Sequence, residues 1–261
     1  MITLLSDFGT ADYFVPAVKG VLLSINPQVR IIDITHGIAA QDIFSAAFTL
    51  GACYRNFPDR TIHLAIVDPG VGSKRRPLIV EAGGYLFVGP DNGIFSFVYA
   101  REPQIKVIHI LREEYFRRPV SPTFHGRDVF APVAARLSLG DPSEVFGERV
   151  EDYVKFAIPR PEAKKGPGPI EGTIIHIDRF GNCVTNLTTD DLSSDQSSIR
   201  MRVRGEEIMR FGTHFEQAAG KGDLIAYPGS AGYWEIAVWC GSAAEAFGIR
   251  VGDRIIVELN P

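Results

Sequence analysis

The sequence predicts an α/β domain followed by a smaller all-β domain. Two observations carry this: short apolar runs alternate with helical periodicity in the N-terminal part, and a proline-rich stretch is followed by short strand-like segments only. Ile2–Leu5 is an apolar run ending in Ser6-Asp7-Phe8-Gly9, a buried strand followed by a tight turn. Tyr13 to Ile25 places Val15, Val18, Val21, Leu22 and Ile25 at helical spacing. Arg30–Thr35 reads as a second strand. Gln41–Tyr54 reads as a second helix with Ile43, Ala46, Ala47 and Leu50 on one face, and Ile62–Val67 as a third strand ending at Asp68. This order argues for a largely parallel sheet. Leu78–Val80 and Leu86–Val88 are strands around a Gly83-Gly84 turn, Lys106–Leu111 is a further strand and Asp128–Leu137 a helix.

Ile158–Pro169 carries four prolines and two glycines, which deny it a regular element and make it a linker. Beyond it come Gly172–Ile177, Val184–Leu187, Ile199–Val203, Asp223–Tyr227, Trp234–Trp239 and Arg254–Glu258, the strands of a barrel or sandwich. The expected division is therefore a domain over 1–157, a linker over 158–169 and a β domain over 170–261.

Of the 261 residues, 45% are hydrophobic, ordinary for a globular protein, and a net charge of −4 supplies no basic field for nucleic acid or an anionic membrane. Cys53, Cys183 and Cys240 are scattered, with no zinc spacing, and fit a reduced, cytoplasmic setting. The start, MITLLSDFG, lacks the basic region of a signal peptide, and no apolar run approaches the ~20 residues that span a bilayer. The six histidines are dispersed, so no metal site is expected.

Ligands of open α/β sheets lie beyond the carboxyl ends of the strands. The polar residues there are Asp7, Asp12, Thr35, His36, Asp68, Asp91 and Asn92. The set is acidic, and neither G-x-G-x-x-G after the first strand nor a P-loop is present, so a phosphate-rich ligand is disfavoured. A nucleoside bearing a positive charge suits such a set.

Val67–Pro77, VDPGVGSKRRP, resembles the signature of the S-adenosylmethionine hydrolases, also called the S-adenosylmethionine hydroxide adenosyltransferases, relatives of the fluorinating and chlorinating enzymes. Other pieces match in order: Ser6-Asp7-Phe8-Gly9 with Asp12, Ile34-Thr35-His36, Gly89-Pro90-Asp91-Asn92-Gly93, Thr123-Phe124-His125-Gly126-Arg127-Asp128, Asp178-Arg179-Phe180-Gly181-Asn182 and Gly229-Ser230-Ala231-Gly232-Tyr233. The resemblance implies a Rossmann-like α/β domain, a C-terminal β-barrel and a homotrimer whose ligand lies between the α/β domain of one subunit and the barrel of the next. It implies hydrolysis of S-adenosyl-L-methionine to adenosine and methionine, with no cofactor.

Asp68, Arg75 and His125 resemble the hydrolase trio; the halogenating relatives carry Tyr at the first and last of these positions. The physics agrees, because a carboxylate repels a halide but accepts a hydrogen bond from water. The expected roles are Asp68 orienting the water, Arg75 pairing with Asp68, and His125 as a candidate proton acceptor. The adjacent Arg76 competes with Arg75 for the pairing role. By resemblance Asp7 takes the ribose hydroxyls, Asp12 and Asp178 face the methionine ammonium, Ser230 its carboxylate, Asn182 the adenine edge, and Phe215 stacks on the purine. Two departures stand out: Ala231 replaces an Arg of the halogenating relatives, and Trp239-Cys240-Gly241-Ser242 replaces an Asn-containing stretch.

Each motif also has a plain structural reading. Asp68 before Pro-Gly can be a turn cap, Arg75-Arg76 a solvated pair, His125 a helix cap, Phe215 a core aromatic, and Asp178–Asn182 a hairpin turn. Three other functions compete. A non-catalytic S-adenosylmethionine sensor would not need the trio, a nicotinamide-dependent oxidoreductase would need the missing glycine fingerprint, and a halide-using adenosyltransferase is disfavoured by Asp68 and His125.

Overall fold

β1 (Ile2–Ser6) and β3 (Ile62–Ile66) are buried along their whole length, as continuous apolar runs require when both faces of a sheet are covered. The computed structural model describes residues 1–163, 168–192, 199–214, 217, 220 and 222–259. The chain divides into two compact units, Met1–Ala157 and Ile158–Pro261.

In the first unit, β2 (Ile31–Thr35) and β3 flank β1, both parallel to it. β4 (Pro77–Ala82), β5 (Tyr85–Pro90), β6 (Ile105–Ile110) and β7 (Gly147–Arg149) complete a sheet of order β2-β1-β3-β5-β4-β6-β7. The largely parallel expectation needs correction. β5 is parallel to β3, but β4 runs against both β5 and β6, and β7 against β6, so the sheet is mixed. The cause is local: Gly83 and Gly84, at φ +59° and +85°, form a two-residue turn between Ala82 and Tyr85, a length that permits only an antiparallel return.

α1 (Phe14–Ile25) buries Val15, Val18 and Leu22 beside α4 (Ala131–Ser138) over one face of the sheet. α2 (Ile43–Cys53) buries Ala46, Ala47 and Leu50 over the other, beside α3 (Ser96–Arg101). α2 starts two residues later than its periodicity suggests because Asp42 caps it, accepting from Ser45 N at 2.9 Å. The helix expected from Asp128 begins instead as a π-helical turn, Gly126–Phe130, that runs into α4. Such turns recur at functional sites.

His63 in β3 is fully buried, its Nδ1 2.8 Å from Thr3 Oγ1 on β1. Burial pushes this imidazole down to about 4 from 6.5. The fold thus holds the neutral ring; its contribution is complete above pH 6.5 and is lost as the pH falls toward 4, about 3 kcal/mol in all. Urea midpoints measured from pH 7 to 4.5 should fall more steeply for the wild type than for His63→Gln. Parallel profiles would exclude His63 as the source.

In the second unit, β9 (Ile170–Ile177), β10 (Cys183–Thr188), β11 (Ile199–Val203), β12 (Glu206–Ile208), β13 (Leu224–Pro228), β14 (Tyr233–Val238) and β15 (Arg254–Leu259) form an antiparallel sheet of order β12-β11-β15-β9-β10-β14-β13. Its two ends are drawn together by Ala226 N donating to Arg210 O at 2.9 Å and Gly212 N to Ala226 O at 3.0 Å, so the sheet is barrel-like and nearly closed. The stretch read as a linker is not wholly irregular: Glu162–Ala163 form β8, a short strand on β9, and its residues 164–167 lie outside the described residues. Ser242 caps the short helix α5 (Ala243–Phe247). Among the described residues no helix is long and apolar enough to cross a membrane.

Candidate active site

β1 lies between β2 and β3, so the chain leaves it to one side and returns on the other, and the carboxyl ends of β1 and β3 form the switch point at which open α/β sheets bind ligands. Asp7 follows β1 and Asp68 follows β3. The half-buried Asp7 accepts from Gln41 N through Oδ2 at 2.8 Å, which leaves Oδ1 for a ligand. Asp12 is exposed in the turn before α1.

The loop from Asp68 to Arg75 folds back on itself, with Val71 N donating to Asp68 O and Ser73 N to Gly70 O. Arg75 thereby returns to Asp68: its Nε donates to both carboxylate oxygens at 2.9 Å, and Nη2 donates to Oδ2. The two side chains are 6% and 9% exposed, so this is a buried pair and not a solvated one. The guanidinium carbon stands 5.1 Å over the Phe130 ring. Arg76 goes elsewhere, to Asp91 at 2.8 Å and to Asp152, which resolves the choice between the two arginines.

Gly72, at φ +76°, lies so close to the Pro122 carbonyl that a Cβ would collide with it. That approach brings the Asp68–Arg75 loop against the segment carrying His125. Arg75 Nη2 donates to His125 Nδ1 at 2.9 Å. Arginine has no acceptor, so Nδ1 must be the unprotonated nitrogen and Nε2 carries the ring's N–H. Burial, and then the Arg75 charge, hold His125 below the usual imidazole range. With its Nδ1 lone pair engaged, the neutral ring can take a proton there only by releasing Arg75.

Two residues whose roles the sequence did not specify hold this arrangement. Asn92 Nδ2 donates to Val67 O at 2.8 Å and fixes the end of β3. Asp128, fully buried, accepts from Arg127 Nε at 2.7 Å, Ser121 N at 2.9 Å and Arg117 Nη1 at 3.3 Å, closing the 117–128 loop around His125. Both stand inside quoted motifs, Gly89–Gly93 and Thr123–Asp128, which was the available signal. Phe8, Tyr13 and Phe14 surround Phe124 at 5.3 to 6.4 Å, and Tyr13 is 64% exposed, leaving an aromatic face next to His125.

In the barrel-like unit, Asp178 Oδ1 accepts from Phe180 N and Asn182 N at 2.8 and 2.9 Å, and Oδ2 from Asn182 Nδ2 at 2.9 Å. The hairpin-turn reading therefore holds, and the turn also aims Asn182. Gly181 packs on Ser242, so the unexpected Trp239–Ser242 stretch adjoins that turn. Ser230 is exposed in the β13–β14 turn, where Gly232 has φ +87°. Glu235, which the sequence reading passed over, accepts from Tyr227 Oη at 2.7 Å; burial, with the charge of Asp178, pushes its carboxyl up. Phe215 lies outside the described residues. The first unit thus brings Asp68, Arg75 and His125 together and sets Asp7 at the adjacent strand end; Asp178, Asn182 and Ser230 belong to the second. Among the described residues no group of three His, Cys, Asp or Glu could hold a metal.

Comparison with known proteins gives a consistent result. The family model of the SAM hydroxide adenosyltransferase N-terminal domain matches residues 2–147, and that of its C-terminal domain matches residues 172–256. The chain is 35% identical to an (R)-S-adenosyl-L-methionine hydrolase from Salinispora tropica, covering 98% of this chain and 97% of that one. It is also 35% identical to one from Methanocaldococcus jannaschii (98% and 94%), and 27% identical to a fluorinase from Actinoplanes sp. (98% and 97%). A crystal structure of an uncharacterized conserved protein from Thermotoga maritima superposes with a TM-score of 0.91 at 33% identity, covering 99% of this chain and 100% of that one.

Proposed function

The chain belongs to the SAM hydroxide adenosyltransferase family, and from that premise we propose that it hydrolyses S-adenosyl-L-methionine to adenosine and L-methionine. The observation that carries this reading is the buried Arg75 bridging Asp68 and His125 at the end of β3. Asp68 Oδ2 accepts from both Arg75 Nε and Nη2, whereas Oδ1 accepts from Nε alone and keeps a lone pair. Through Oδ1, Asp68 can accept a hydrogen bond from a water and hold it in line with the ribose 5′ carbon. The thioether departs neutral from the sulfonium and needs no acid. His125 offers its Nε2–H as a donor, and takes a proton only by giving up Arg75. A halide would meet the Asp68 carboxylate, which supports water as the nucleophile over a halide. A sensor would have no use for a buried trio. The scheme calls for no cofactor, and the three unpaired cysteines support a reducing, cytoplasmic setting.

On the substrate side, Asp7 Oδ1 takes the ribose hydroxyls, with Asp12 and Asp178 near the methionine ammonium, Ser230 its carboxylate, and Asn182 and Phe215 the adenine. Incubation with S-adenosylmethionine, with and without chloride, tests the reading. Adenosine and methionine in equal amounts are expected in both; 5′-chloro-5′-deoxyadenosine, or binding without any product, would replace the hydrolase by a halogenase or a sensor.

We also propose a homotrimer in which the α/β unit of one subunit and the barrel of the next share each ligand. Support comes from the family resemblance and from the distribution of ligand-facing residues over both units. Interface variants shown by light scattering to be monomeric should lose hydrolysis and adenosine binding together. A fully active monomer would require the site to be built within one chain.

A further inference from the structure

A cavity of about 370 Å³ adjoins the trio within the first unit, with Ser73, Arg75, His109, Glu113, Arg118 and His125 among its walls. Its deep side is Arg75 and His125, with Ile110 and Val129, each 2% exposed. Its rim is the exposed pair Glu113–Arg118, in contact at 2.5 Å, together with Leu111 and Val120. The sheet order fixes its side. Asp7 stands at the end of β1 and Asp68 at the end of β3, whereas the cavity lies at the start of β4 and the end of β6. Of the trio, Arg75 and His125 line the cavity, while Asp68 is reached from it through Arg75 and, like Asp7 and Asp12, does not line it.

The chemistry gives such a space a use. In each turnover a water oxygen bonds to C5′, the C5′–S bond breaks with its electron pair kept on the methionine sulfur, and one water proton is released. A nucleoside seated over Asp68 covers the direct approach from solvent, so the next water must arrive, and the proton leave, by another side. At ~30 Å³ per molecule the cavity has room for several waters, and its six polar side chains supply the partners that ordered waters need.

We propose that this cavity is a water site of the enzyme, supplying the attacking water to Asp68 and Arg75 and receiving the released proton while the nucleoside face is covered. The inference rests on the hydrolase reading above.

The test fills the cavity from its rim. Leu111 is 44% exposed, so Leu111→Trp should fold; Val120→Phe fills the same space from a second position. Both variants should lose tenfold or more in kcat, with KM for S-adenosylmethionine and Kd for adenosine within twofold of wild type. Adding Val120→Ala to Leu111→Trp reopens space and should recover at least half of the lost rate, which damage to the fold would not allow. Wild-type turnover in both filled variants, or a KM rising in step with the fall in kcat, would overturn the proposal. A wild-type protein that releases no adenosine would instead overturn the reading beneath it.

Discussion

Asp68→Ala is expected to lower kcat by roughly 10²–10⁴-fold while adenosine affinity stays within about tenfold of wild type. In the proposed scheme the carboxylate holds the attacking water and not the nucleoside, so its loss belongs in the chemical step. Asp7→Ala makes the contrast. In the proposed scheme its Oδ1 takes the ribose hydroxyls, and losing hydrogen bonds to a charged acceptor should weaken adenosine binding by about 1.5–3 kcal/mol. Steady-state kinetics with calorimetric adenosine titration separate the two. Full turnover in Asp68→Ala would remove Asp68 from the mechanism, and unchanged adenosine affinity in Asp7→Ala would remove Asp7 from the ribose.

Arg75→Ala should do two kinds of damage at once. It leaves the Asp68 carboxylate buried without its partner, at a cost of about 3–5 kcal/mol in stability, and takes away the donor that sets the His125 tautomer. The double variant Asp68→Asn, Arg75→Met removes both charges and should recover most of the stability but none of the activity. Urea unfolding of the three proteins checks the order. If Arg75→Ala were as stable as wild type, the pair would not be the buried, mutually dependent one described. The trio also sets an acid limit: protonating His125 places two cations side by side and breaks the Arg75 bond. Activity should therefore fall on the acid side at a pH below the usual imidazole range, as the direction of the His125 shift requires.

How much of this was legible in the sequence depended on whether the signal was local. β1 and β3 read correctly because strands covered on both faces must be continuously apolar. Gly83-Gly84 was legible as a turn, yet the mixed sheet was not drawn from it, and the three-residue β7 carries too little pattern to be found. The π-helical turn after His125 shares the apolar periodicity of an ordinary helix, so only its hydrogen bonding distinguishes it. Arg75 and Arg76 are adjacent and chemically identical; what separates them is Asp91 and Asp152, remote in sequence and brought to Arg76 by the fold. At Asp178 the same side chain satisfies a hairpin turn and a ligand motif, so spacing alone could not rank the two uses. Glu235 was missed because a lone Glu alternating with apolar residues in a strand looks solvated, whereas the fold partly buries it and supplies Tyr227 of the neighbouring strand as its hydrogen-bond donor. The His125 tautomer was beyond the sequence altogether, since it depends on which ring nitrogen faces a guanidinium seven residues past Asp68.

The central claim is that a water held by Asp68 attacks the ribose 5′ carbon. Turnover of S-adenosylmethionine in H₂¹⁸O, with the products separated and weighed by mass spectrometry, measures this directly. One ¹⁸O in the 5′-hydroxyl of adenosine and none in methionine is the predicted result. Unlabelled adenosine, or label on the amino-acid fragment, would place the bond cleavage elsewhere and contradict the account.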